Sequence, residues 1–259
     1  MNMTFDQYIA NPMGKKNAVF SNREMFRAMY KQKLDVLLVR EVGKVKYDLY
    51  TSKKGKYYIY FKIPSEKIKG IYYDTVIEFY TDQHSAELSR SLNNYYVRFY
   101  SNDPSFVFTF AHAFRANDML IKDLECKMSK KALKEVAKEK NPKNEVGYVK
   151  SIFFAYLLMK QYGLFEKVQF KSYAKQYNPR TFKDQITHAD QKIEERINAV
   201  EKEAKEKRVE KQKEKVAQQQ NRREQNPMFI NSSPKVSSVK KVNRIEATKG
   251  KKVKKVKKI

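Results

Sequence analysis

Tyr58, Tyr60 and Lys62 alternate with Ile59, Phe61 and Ile63, and Tyr96, Arg98 and Tyr100 alternate with Val97 and Phe99. Side chains of a strand point alternately to its two faces, so each segment would carry an apolar face and a Tyr/cation face. Aromatic rings that stack on bases, beside cations that meet phosphates, form a single-strand nucleic-acid surface. The competing reading is structural. Tyr suits strands, and helices can cover both faces of a sheet. The apolar segment Tyr148–Tyr162 needs a sheet face to pack on, which favours the covered arrangement.

A second signal lies at the carboxyl end. Residues 221–259 hold ten Lys and three Arg against Glu224 and Glu246. Lys240, Lys241, Arg244, Lys251, Lys252, Lys254, Lys255, Lys257 and Lys258 are the expected phosphate contacts, in a segment whose Asn, Ser, Pro and Lys content predicts disorder. Flexible cations of this density bind polyanions without reading sequence, and the binding weakens with salt. A nuclear-localisation-like address or a solubilising tail are the alternatives.

Catalytic patterns are sparse. Asp103, with Glu125 and Lys127, loosely fits the carboxylate and lysine set of Mg²⁺-dependent nucleases. Asp103 precedes Pro104 in a turn, however, and Glu-x-Lys is common in a lysine-rich chain, so this reading ranks behind the binding ones. Asp74 and Glu78 share one strand face and read as solvated. His84, His112 and His188 lack ligand spacing. Cys126 is the sole cysteine, which excludes an internal disulfide and a cysteine-based metal site. No phosphate-binding glycine loop, nucleophile elbow or zinc-protease motif is present. No enzyme activity and no cofactor are expected.

These residues need elements to position them. The formal net charge of the 259 residues is +26, which points to polyanionic partners. No stretch approaches the ~18 apolar residues of a membrane span, and the amino terminus lacks a secretory pattern. Thr4 and Gln7 have capping-box spacing before a short helix, and Ser21 with Glu24 opens a helix to about Lys33. Strands are expected at Val36–Arg40, Val45–Tyr50, Tyr57–Ile63, Ile71–Tyr80, Tyr95–Tyr100 and Phe106–Ala111, the last two forming a hairpin around Ser101–Pro104. Asp82–Leu92 reads as a polar helical crossing. Helices follow at Ser129–Lys140 and Tyr148–Tyr162, the latter closed by Gly163.

From Phe182 the apolar spacing is Phe182, Ile186, Ala189, Ile193, Ile197, Val200 and Ala204, an amphipathic or coiled-coil stripe. It either docks on its own domain or pairs with a second copy or another structural protein. The expected organisation is an α+β body over 1–180, with a mainly antiparallel aromatic sheet packed by helices. An amphipathic-to-charged helix over 181–220 and a disordered Lys-rich tail over 221–259 complete it.

The amino-terminal Y-I-A-N-P-M-G, the stretches YYDTVIEFY and YSNDPSFVFTFAHAF, and the Lys-rich tail together resemble uncharacterised proteins of large tailed bacteriophages of gut bacteria, some similar to virion proteins of the crAss-like phages. The resemblance covers residues 5–180. It implies a structural, DNA-associated role in a phage virion or the host cytoplasm, and it carries over no site residue.

Overall fold

A computed structural model describes residues 2–10, 31–36, 45–82 and 89–224. Helix α1 (Phe5–Ala10) opens on the expected capping box: the Gln7 amide donates to Thr4 Oγ1 at 3.2 Å, and the Thr4 amide donates to Gln7 Oε1 at 2.8 Å. It buries Phe5, Tyr8 and Ile9, one face of a helix. Residues 31–36 are helical, so the helix expected to end near Lys33 runs on to 36, where a strand was expected to start. The Ser21 and Glu24 box, the remainder of the Val36–Arg40 strand and most of Asp82–Leu92 lie outside the described residues.

Strands β1 (Tyr47–Thr51), β2 (Tyr57–Pro64), β3 (Tyr72–Tyr80) and β4 (Tyr96–Ser101) form an antiparallel meander. The β1–β2 turn is tied by Ser52 Oγ, which accepts from the Lys54 and Lys56 amides, while Gly55 takes φ +71°. A two-residue strand, β5 (Lys175–Gln176), adds to β1 in parallel, giving the order β4-β3-β2-β1-β5.

The register stacks residues in rows across the sheet. Leu49, Ile59, Ile77 and Phe99 form one row on the first face. Tyr50, Tyr58, Glu78 and Arg98 form a row on the second face, beside Asp48, Tyr60, Val76 and Tyr100. The alternation read from the sequence therefore holds.

Phe106–Ala111 is not a strand. Asp103 and Pro104 start a helix: the Ser105 amide donates to Asp103 Oδ1 at 2.9 Å, and Pro occupies the first turn, where a missing N–H costs nothing. The chain continues as a π-helical stretch (Phe106–Phe110) into α2 (Ala111–Ala116). Phe106, Val107, Phe110, Ala111, Ala113 and Phe114 are buried, which is helical spacing. A 3₁₀ turn at Lys122–Lys127 precedes α3 (Lys130–Lys134), far shorter than the helix expected to Lys140.

Helix α4 (Lys150–Gln161) packs on β2, β3 and β4 as expected, and Gly163 ends it at φ +65°. Eight of its twelve residues are buried, because the sheet lies on one side and aromatic neighbours on others. Phe5 fills the space between, within 5.1 Å of Phe99 and 5.0 Å of Tyr156 between ring centroids. Then come α5 (Lys167–Tyr173), α6 (Pro179–Gln185) and the long α7 (Ala189–Glu224). Asn178 caps α6 by accepting from the Arg180 amide at 2.9 Å. No helix among the described residues is long and apolar enough to cross a membrane.

The chain divides into two units, Met1–Lys205 and Glu206–Ile259. Phe182, Ile186 and Ala189 are core residues of the first, so its interior extends past the expected limit at 180. The stripe from Phe182 is not one helix either, since α6 and α7 are separated at Ile186–His188. Its first three residues dock on their own domain, while Ile197 and Val200 on α7 are exposed. In the second unit, residues 206–221 are helical and exposed.

Candidate functional site: the Tyr-rich second face of the sheet

Ordinary strand alternation brings Tyr58, Tyr60, Tyr100 and the two carboxylates of β3 onto one face. That face is closed. Tyr58, Tyr60 and Tyr100 are 2%, 3% and 0% exposed, and Asp74 and Glu78 are 3% exposed. For these three tyrosines the covered arrangement holds and the open stacking surface does not, whereas the solvated setting expected for Asp74 and Glu78 is corrected.

What closes it is the chain from β5 to the start of α7. Tyr177 lies flat on Tyr58, with ring centroids 3.9 Å apart and planes 7° apart. Its hydroxyl donates to Asp123 Oδ2 at 3.0 Å and its amide to Thr51 O at 2.7 Å. Phe182 stands edge-on to Tyr50 and Tyr60, with centroids at 4.9 and 6.2 Å. Tyr50 donates its hydroxyl proton to Gln185 Oε1 at 2.8 Å. A base has no free ring face to stack on at Tyr58, because Tyr177 already occupies it.

Beneath this cover the polar groups satisfy one another, as burial demands. Asp74 Oδ1 accepts from Tyr60 at 2.7 Å, and Oδ2 accepts from the Thr187 amide at 2.9 Å and from Asn102 Nδ2 at 3.0 Å. Glu78 Oε1 accepts from Lys56 Nζ at 2.6 Å and from Tyr58 at 3.2 Å. Tyr100 shares its proton between the Lys127 and Thr187 carbonyls. Burial, and then the adjacent carboxylates, push the Tyr58 and Tyr60 hydroxyls well above the ordinary phenol range. These groups are neutral hydrogen-bond donors at any physiological pH, not bases or nucleophiles.

The remaining expected contacts lie at the β4 edge. Arg98 sits over the Tyr80 ring at 4.0 Å, donates through Nη2 to Asp118 Oδ2 at 2.6 Å and through Nε to Asp118 O at 3.0 Å, and reaches Glu78 at 3.8 Å. Its charge is matched internally. Tyr96 is half-buried and packs against Tyr80 with centroids 5.8 Å apart. Lys62 alone of the original set faces solvent.

The nuclease set is used elsewhere too. Asp103 is buried at the helix start just described, and burial raises its pKa. Glu125 pairs with Arg115 at 3.2 Å. Among the described residues no three His, Cys, Asp or Glu side chains gather as metal ligands. Lys240, Lys241, Arg244, Lys251, Lys252, Lys254, Lys255, Lys257 and Lys258 lie outside the described residues. Sequence reasoning missed the Asp74 network, whose Thr187 partner is 113 residues away, and no local signal marks it.

No protein-family model matches the chain, and no curated protein or solved structure matches it either.

Proposed function

We propose that this chain is a non-enzymatic structural protein that associates with nucleic acid through its basic carboxyl-terminal segment, as a component of a phage particle. One observation carries the reading: residues 221–259 have thirteen basic side chains against two acidic ones. Each lysine or arginine that meets a phosphate releases a condensed counterion, so binding by such a segment is strong at low salt and indifferent to base sequence.

The folded unit supports this division of labour. Tyr58, Tyr60, Tyr100 and Arg98 serve the body's own interior and edge. In this reading the body supplies contacts to other structural proteins, and the segment supplies affinity for the packaged polyanion. Deleting residues 221–259 and titrating duplex DNA at several salt concentrations tests it.

A further inference from the structure

We infer that the folded unit carries its own single-stranded nucleic-acid site, in the groove where Phe108 meets Lys131 of α3. This inference goes beyond the tail reading and stands independently of it.

The groove follows from the helix register. In the π-helical stretch the Ala111 amide donates to Phe106 O, one residue wider than an α-helical bond. Phe106, Val107 and Phe110 stay in the core, while Phe108 is turned out and is 54% exposed. The ring is thus held in water by a rare backbone form, one that recurs at functional sites.

Its surroundings define what that partner is. The groove beside Phe108 has a volume of about 240 Å³ and is lined by Val107, His112, Lys131, Ala132, Glu135 and Val136 among others. It is smaller than the roughly 300–1,000 Å³ of pockets that enclose a drug-sized molecule. It is open, and a flat group such as one nucleobase can lie in it against the ring. Lys131 and Glu135 both line it, and the segment that forms this wall is strongly basic. Residues 127–143 hold seven lysines against Glu135 and Glu139. Lys130, Lys131, Lys134 and Lys138 are exposed, and none of them forms an ion pair with a described residue. An exposed ring beside unpaired cations is the combination that binds single strands, with bases stacked and phosphates neutralised. Duplex DNA keeps its bases stacked internally and cannot offer one to Phe108.

The test uses the full chain. The protein has no tryptophan, so Phe108→Trp places a single, selectively excited tryptophan in the groove, and Ile197→Trp places one on α7 as a control. Each is titrated with a short oligothymidylate. We expect saturable loss of Phe108→Trp emission with little change for Ile197→Trp. Adding Lys131→Glu and Lys134→Glu to Phe108→Trp should raise the midpoint roughly tenfold. Unchanged Phe108→Trp emission while a labelled oligonucleotide still binds overturns the proposal, since binding then lies elsewhere. Equal quenching at both positions overturns it as well. Emission that responds to phosphatidylserine vesicles and not to oligothymidylate reassigns the groove to an anionic membrane surface and also overturns it.

Discussion

The Tyr177 ring lies 3.9 Å from that of Tyr58 and within 7° of parallel, so the position a stacked base would take is filled by the protein itself. Tyr177 and Phe182 thereby join the sheet to the chain leading into α7. Phe182→Ala should cost about 3–5 kcal/mol of unfolding free energy, as for other buried aromatics, whereas Tyr177→Phe should cost about 0.5–1.5 kcal/mol for its bond to Asp123. Denaturant unfolding measures both. A Phe182→Ala loss below 1 kcal/mol, on the order of a surface change, would mean that the stripe does not belong to the core.

Asp74 offers a sharper test of the buried network. Asp74→Ala strands the donors of Tyr60, Asn102 and Thr187, and a loss of roughly 3–5 kcal/mol is expected from removing one partner of such a set. Tyr60→Phe in the Asp74→Ala background should then cost little, because the hydroxyl has already lost its acceptor. The double-mutant cycle reads the coupling directly. Additive losses would contradict the 2.7 Å bond.

Much of this architecture was legible in the sequence where the cause is local. The Thr4 and Gln7 box, the Gly163 helix end and the two-residue alternation of Tyr58, Tyr60 and Tyr96, Arg98, Tyr100 depend on neighbours a few positions away. The burial of that second face does not. It rests on Tyr177, Phe182 and Thr187, brought from far along the chain. Phe106–Ala111 failed for another reason: a short aromatic run suits a buried strand or a buried helix, and Asp103-Pro104 serves either as a turn or as a helix start. The stripe from Phe182 was correct in its spacing, but spacing alone does not show the break at Ile186–His188.

Alkaline pH should expose the same network. Tyr58, Tyr60, Tyr100 and Tyr177 all have hydroxyl pKa values raised, chiefly by burial. In the unfolded chain they ionise near 10. Their contribution to stability is therefore intact below about pH 10 and declines above it, as the unfolded state sheds protons that the folded state retains. Tyrosinate absorbance for these groups should appear together with loss of circular dichroism. A complete tyrosine titration near pH 10 with the fold intact would contradict it.

Acid should act at the β4 edge. The Asp118 carboxyl, despite partial burial, is held below the usual range by bonds from Arg98 and Lys122. The contribution is present above the unfolded value of about 3.9 and is lost as pH falls through the lower folded value. Asp118 is well exposed, so the effect is small and screened by salt. Arg98→Met should flatten the acid limb of stability against pH at low salt, and an unchanged limb would contradict the assignment.

The central claim is that affinity for duplex DNA resides in residues 221–259. Affinity of the full chain for duplex DNA, measured against salt, should fall about 10³–10⁵-fold between 50 and 200 mM if six to ten phosphates are neutralised. Removing residues 221–259 should abolish most of that affinity and flatten the slope. Unchanged affinity and slope in the deletion variant would contradict the account.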